Sequence, residues 1–292
     1  MAVMGSEILI TPDELAELTA RDERVRILDV RWRLDRPDGR PEYLEGHIPG
    51  AVYVDLESEL SGHGAASDGR HPLPDTPALE RAARRWGLDD GDTVVVYDDL
   101  KSLSAARAWW LLTDAGVQDV RILDGALRGW VASSHALERG DVVPAPGSIT
   151  LTAGRLPQLS IDAAAVLARD GVLIDVRAPE RYRGEVEPVD PRAGHVPGAR
   201  NLFAGDAVDE SGRLLPPDAL RARFEAVGAR PDQPVGVYCG SGVTASHAFV
   251  ALTVAGFAPR LFAGSWSAWS NTARPVAIGS DRFGGEDAKS LS

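Results

Sequence analysis

An α/β fold of two tandem domains, each a parallel sheet flanked by helices, is predicted by three features of the 292-residue chain. Short apolar runs alternate with helical stretches throughout, the second half repeats the landmarks of the first in the same order, and the length suits two domains of about 100 to 200 residues each. In the first half, Arg26 to Val30 reads as a strand, Ala78 to Trp86 as a helix stopped by Gly87, Thr93 to Tyr97 as a second strand, Ala105 to Asp114 as a helix ended at Gly116, and Val120 to Leu123 as a third strand. The second half answers with a strand at Val172 to Val176, a helix at Pro217 to Val227 closed by Gly228, a strand at Val235 to Tyr238, a helix at Thr244 to Ala255 closed by Gly256, and a strand at Arg260 to Phe262. Strands that are apolar almost throughout, rather than alternating, belong to a parallel sheet covered on both faces.

The duplication is visible residue by residue. Leu28-Asp29-Val30-Arg31 returns as Ile174-Asp175-Val176-Arg177, and Gly46-His47-Ile48-Pro49-Gly50-Ala51 returns as Gly194-His195-Val196-Pro197-Gly198-Ala199. A spacing of roughly 140 to 150 residues is too long for a solenoid repeat and fits whole domains. The expected division is 1–138 and 158–292, joined by a linker at 139–157 that holds Pro144, Pro146, Gly147, Gly154 and Pro157 and lacks a helical period. The tail from Asp281 is expected to be loose.

With 44% hydrophobic and 25% charged residues the composition is that of a globular protein, and a net charge of −12 argues against nucleic acid or an anionic membrane as partner. The first ten residues lack the basic cluster of a secretory signal, and the longest apolar stretch, Ala248 to Ala258, is short of the roughly 18 residues needed to cross a bilayer. One cysteine cannot form an internal disulfide, so a reducing cytoplasm is the expected setting.

That one cysteine, Cys239, ends the apolar run Val235-Gly236-Val237-Tyr238 and opens the loop Gly240-Ser241-Gly242-Val243-Thr244-Ala245; the matching run in the first half, Val94-Val95-Val96-Tyr97, is followed instead by Asp98. Ligands gather at the carboxyl ends of parallel strands. Two glycines let the backbone curl so that successive N–H groups face one anion, and a helix start adds partial positive charge. A small buried core cysteine would need no such cradle, so Cys239 is expected to be a nucleophile. A dinucleotide site would require an acidic residue about 20 positions further on, and none occurs before Asp281. A cysteine phosphatase would place an arginine where Ala245 stands. The six histidines, His47, His63, His71, His135, His195 and His247, are scattered without close ligand spacing, so neither a metal nor another cofactor is expected.

These residues together resemble tandem-domain rhodanese-type sulfurtransferases, and the loop Cys239 to Thr244 is similar to that of the 3-mercaptopyruvate branch. Tyr43 to Val54 fits the family's first signature, and Phe262 to Trp269 fits the second except at Ala268, where an acidic residue is usual. The resemblance implies a five-stranded parallel sheet in each copy and a first copy without the cysteine. It also implies a double displacement in which Cys239 becomes a persulfide and then passes its outer sulfur to a thiol or cyanide. By motif position, Ser241, His47 and Asp38 would form a relay that protonates the departing enolate. Arg181 and Arg192 would clamp the donor's carboxylate, Gly240, Gly242, Val243 and Thr244 would cradle it, and Trp266 would line the pocket. His47 has a repeat partner in His195 and could equally pin its turn, and Asp29–Arg31 and Asp175–Arg177 read as fold-holding pairs. No cation lies between Gly240 and Ser246, which disfavours thiosulfate as donor. Thiosulfate:cyanide transfer and a persulfide relay to a partner protein remain the alternatives, with a thioredoxin-like reductant as a further partner for the acceptor step.

Overall fold

The structure, a computed structural model, describes residues 8–21 and 24–284. The chain divides into two compact units. The first comprises the residues up to Gly62, Leu73–Leu156 and Val208–Leu215, and the second His63–Pro72, Pro157–Ala207 and the residues from Pro216 on. Each unit therefore holds a short segment from the other half of the sequence, which the boundaries expected at 138 and 158 do not contain. Of the stretch 139–157, expected as a linker, residues 139–156 are strapped to the first unit and Pro157 opens the second. Gly147 N–H donates to Arg84 O, Ile149 N–H to Leu88 O and Thr152 N–H to Ala115 O, while Ile149 and Leu151 are buried. Its prolines and glycines exclude helix, and its apolar residues still find a core.

The first unit runs β1 (Leu9–Ile10), α1 (Pro12–Arg21), β2 (Val25–Asp29), α2 (Arg40–Glu45), β3 (Val52–Tyr53), α3 (Leu56–Glu59), α4 (Thr76–Arg85), β4 (Thr93–Tyr97), α5 (Ala105–Asp114), β5 (Asp119–Leu123) and α6 (Ala126–Ala132). Its five strands are all parallel, in the order β1-β5-β4-β2-β3. Central β4 buries Val94, Val95, Val96 and Tyr97 completely, and each such side chain stabilises the sheet by about 1.5 to 3 kcal/mol.

The second unit runs α7 (Ile161–Asp170), β6 (Val172–Asp175), α8 (Pro179–Tyr182), β7 (Arg200–Asn201), α9 (Pro217–Ala226), β8 (Val235–Tyr238), α10 (Val243–Val254), β9 (Pro259–Leu261) and α11 (Ser265–Ser270). Four strands pair in the order β7-β6-β8-β9, again parallel. The fifth position is reduced to one parallel bridge between Gln158 and Leu261. Central β8 delivers its carboxyl end to Cys239, and α10, buried over most of its length, packs over the sheet behind the loop. The expected loose tail is docked as far as described, since the Arg282 guanidinium donates to Gly198 O and Ala168 O; residues 285–292 lie outside the described ones. No described helix is long and apolar enough to cross a membrane.

The repeated motifs build one scaffold twice. Asp29 takes the Arg31 guanidinium in two directions, and Arg31 reaches Gly46 O; Asp175, Arg177 and Gly194 O repeat the arrangement. Both aspartates are fully buried, and burial without such partners would be prohibitive.

Candidate active site

Cys239 is 3% exposed at the end of β8, and Gly242 N–H points at its Sγ at 3.1 Å. Gly242 caps α10 with φ of +83°, and a β-carbon there would stand 2.3 Å from Ala263 O, so only glycine fits. The N–H groups of Gly240, Ser241, Val243 and Thr244 have no acceptor in the chain among the described residues. Unfilled donors in a glycine-bearing loop beside the sulfur, at the start of a twelve-residue helix, suit an anion. The loop is anchored from behind by the turn after β9. Ser265 Oγ accepts Cys239 N–H at 3.1 Å, Trp266 N–H donates to Cys239 O, and Ser267 N–H donates to Gly240 O. Ser265 sits at φ of +54°, a strained position for a serine, held by these bonds.

Ser241, 5% exposed, finds its hydrogen-bond partner within the second unit. Its Oγ lies 2.7 Å from Nδ1 of His71, a buried residue of the 63–72 segment that belongs to the second unit. His47 belongs to the first unit, where it is fully buried, stacked on the Tyr43 ring at 4.1 Å, with Nδ1 2.9 Å from Tyr43 O. His195 repeats this on Tyr182, with ring centroids 3.7 Å apart and Nδ1 2.8 Å from Tyr182 O. Burial pushes the His195 imidazole below its usual value. A residue doing the same job in both copies holds its turn, so His47 is corrected from relay member to scaffold, and the imidazole beside Ser241 is that of His71. Asp38 is corrected with it: its Oδ1 accepts Arg40 N–H at the start of α2 in the first unit. His71 carried one legible sign, being a histidine without a counterpart in the other half, whereas His47 is duplicated.

Two of the expected donor-binding residues serve the scaffold instead. Arg192 donates to four main-chain carbonyls, Ser270, Arg274, Trp269 and Thr272, and so closes the end of α11, where helix carbonyls lack partners. Trp266 has no exposed surface. Its Nε1 donates to Arg192 O and the Arg177 guanidinium stacks 4.7 Å from its ring, so it supports the loop from the core rather than lining a pocket. Arg181 does stand at the loop: a β-carbon on Gly240 would lie 3.5 Å from its Nη1 and 3.3 Å from Nη2 of Arg70. Arg70 was not expected there. Gly240, Ser241, Gly242 and Val243 are buried in the loop, and Thr244 is partly exposed at the first turn of α10.

Arg70 pairs with Asp190, Arg181 with Glu187 at 2.6 Å and with Asp190 at 3.6 Å, and Glu187 continues to Arg177 at 3.3 Å. His247, inside α10, is fully buried, and burial pushes it down to about 4, so it is neutral. Among the described residues no group of three or more His, Cys, Asp or Glu is placed to share a metal ion.

A sequence profile of the rhodanese-like domain matches this chain twice, at residues 11–133 and 160–272. A Mycobacterium tuberculosis protein provisionally named thiosulfate sulfurtransferase SseB is 48% identical over 279 residues, 94% of this chain and 98% of that protein. A Pseudomonas aeruginosa protein provisionally named 3-mercaptopyruvate sulfurtransferase is 45% identical over 286 residues, 94% of this chain and all of that one. Among solved structures, SseA from Escherichia coli, described as a 3-mercaptopyruvate sulfotransferase with the rhodanese fold, superposes with a TM-score of 0.78 at 35% identity, covering 88% of this chain and 98% of its own.

Proposed function

The chain belongs to the rhodanese family as a tandem of two rhodanese-like domains, and from that premise we propose that it is a sulfurtransferase taking sulfur from 3-mercaptopyruvate through a persulfide on Cys239. The observation that carries the reading is the Gly242 N–H on the Cys239 sulfur at the start of α10, in a loop whose other N–H groups have no acceptor in the chain among the described residues. The Cys239 thiolate attacks the donor's sulfur, an S–S bond forms, and the C–S bond breaks with its electron pair left on carbon as the enolate of pyruvate. That enolate takes a proton to become pyruvate, and the proton that came with the donor's thiol is released from the persulfide's outer sulfur to water, leaving an anionic persulfide beside the loop N–H groups. An acceptor thiolate or cyanide then attacks the outer sulfur and returns Cys239 as thiolate. Both resting states carry one negative charge at the same place, so one preorganised cradle serves both half-reactions.

Ser241 with His71 is the pair that supplies the enolate proton, the hydroxyl being within hydrogen-bond reach of the imidazole and two residues past the nucleophile. Arg181, beside Gly240, is the ligand for the donor's carboxylate. We place the reaction in the cytoplasm, where a lone thiol stays reduced, with a small thiol or a thioredoxin-like protein as acceptor.

Initial rates with mercaptopyruvate and with thiosulfate at matched concentration test this, with Cys239→Ser as blank and intact-protein mass recording the sulfur adduct. Mercaptopyruvate is expected to be the faster donor. A clear win for thiosulfate makes the chain a thiosulfate:cyanide transferase, and an adduct formed only from a persulfidated protein makes it a relay.

A further inference from the structure

We propose that Arg70 is a second ligand for the donor's anionic group, and that Asp190, buried between Arg70 and Arg181, selects a monoanionic donor over a dianionic one. This rests on the reading of Cys239 as the sulfur acceptor. The two guanidinium groups meet over the residue that follows the nucleophile, since a β-carbon on Gly240 would be 3.3 Å from Arg70 Nη2 and 3.5 Å from Arg181 Nη1. They reach it from distant parts of the sequence. Arg70 is positioned by its own N–H, which donates to Ser267 Oγ on α11, and Arg181 by α8. Their side chains keep 25% and 16% of their surface exposed, whereas that of Arg177, which only supports the scaffold, keeps 2%. An incoming anion can therefore touch the first two and not the third.

Asp190 lies between them with its side chain 2% exposed, Oδ1 on Arg70 and Oδ2 3.6 Å from Arg181 Nη2. Buried polar atoms in native proteins almost always find partners. Here Nε of Arg70, Nε of Arg181 and Oδ2 of Asp190 are all buried without a hydrogen-bond partner in the chain. Three such atoms in one cluster mark a network strained by its own buried carboxylate, in which neither guanidinium is fully used, and the Nη atoms that both arginines present at Gly240 can donate to the two oxygens of one carboxylate.

Charge then decides which anion completes it. The connected chain of Arg70, Asp190, Arg181, Glu187, Arg177 and Asp175 alternates in sign, and its three guanidiniums balance its three carboxylates. The donor thus enters a neutral network facing an anionic sulfur. Mercaptopyruvate brings one charge and thiosulfate two. A uniform change in local potential acts on each ligand charge alike, so a substitution that improves monoanion binding by some factor improves dianion binding by the square of that factor.

The experiment is steady-state kinetics with both donors on the full chain. Asp190→Asn is expected to raise the ratio of thiosulfate to mercaptopyruvate kcat/KM by about tenfold, through a lower KM for thiosulfate. Arg70→Met, which keeps length and loses charge, is expected to move the same ratio the other way by about tenfold while a saturating donor still yields the Cys239 sulfur adduct by mass. Because the two variants must shift the ratio in opposite directions, a failure of one to fold leaves the other decisive. A ratio within twofold of the parent in a folded variant, or a shift of the same sign in both, overturns the proposal. Absence of any adduct in the parent protein with either donor overturns the sulfurtransferase reading itself, which is a different result.

Discussion

The loops that follow β4 and β8 start at equivalent places and hold opposite contents. After β4, the Asp98 carboxylate is fully buried and accepts four main-chain N–H groups, from Leu100 and Ser102 on one oxygen and from Ser104 and Ala105 on the other, at 2.8 to 3.0 Å. After β8, a sulfur takes one N–H, from Gly242, and the neighbouring donors have no acceptor in the chain among the described residues. Strand, curl and helix start together make an anion hole in both units. The first unit fills it with its own side chain and puts Lys101 and Ser102 at φ of +60° and +65° to wrap around it. The second leaves most of its donors without an acceptor in the chain among the described residues and makes the turn with glycine. Some of what resembles catalytic strain is scaffold, because Ala126 in the first unit sits at φ of +56°, as Ser265 does in the second at +54°.

Emptying the filled hole gives the largest expected effect. Asp98→Ala strands four buried donors at once, and chemical denaturation should show a loss of about 4 kcal/mol, the scale for removing one side of a buried charged network. Burial pushes the Asp98 carboxyl up while the four donors pull it down, so a loss below about 1 kcal/mol would mean that the donors only balance the desolvation and the loop does not depend on the carboxylate. Crowding the open hole comes next. Gly242→Ala forces a left-handed residue against Ala263 O and should cost about 3 kcal/mol, with the sulfur adduct on Cys239 reduced in proportion to the displaced N–H.

Legibility in the sequence divides along the same line, between what is local and what is brought together. The runs at 93–97 and 235–238 could be read to the residue because central parallel strands are apolar throughout. The edge strands β1, β3 and β7 have two residues each, too few to show any period. Helices α1 and α7 carry readable starts, with Thr11 and Glu14 bonded to each other's backbone side and Ser160 capping Ala163, yet each buries only two residues, so their apolar stripes are faint. Cys239 was legible because strand end, glycines and helix start are contiguous. His71 had only the sign it shares with other unduplicated histidines, because it reaches Ser241 across 170 positions through a segment with no period of its own. Arg192 was misread for a related reason: spacing gives a residue's place in a motif and says nothing of the carbonyls it will meet.

The two histidine positions provide a smaller, donor-specific test. His71→Ala removes the partner of Ser241 and should lower kcat/KM for mercaptopyruvate about a hundredfold, the usual scale for one general acid. The effect on thiosulfate should stay below about threefold, because sulfite leaves as an anion and needs no proton. His47→Ala should lower stability without distinguishing the donors. A donor-independent fall for His71→Ala would reduce that residue to a prop for the loop.

The smallest effect concerns the helices behind the two loops. In α5 the buried Arg107 donates to Leu60 O, whereas in α10 the buried His247 is held neutral, pushed down by burial to about 4. The unfolded chain binds a proton there near pH 6.5, so between that pH and 4 the unfolded state carries more protons than the folded one, and stability falls as the pH falls. The contribution is complete above pH 6.5 and drains through that window, by about 2 kcal/mol after allowance for relaxation around a buried ring. His195, also lowered by burial, acts in the same direction in the same unit. Between pH 7.5 and 4.5 the parent should therefore lose stability relative to His247→Leu as the medium becomes acid, while the variant keeps part of the slope through His195. Parallel curves for the two proteins would show that His247 is hydrated or partnered when folded, and the acid sensitivity would then belong to another group.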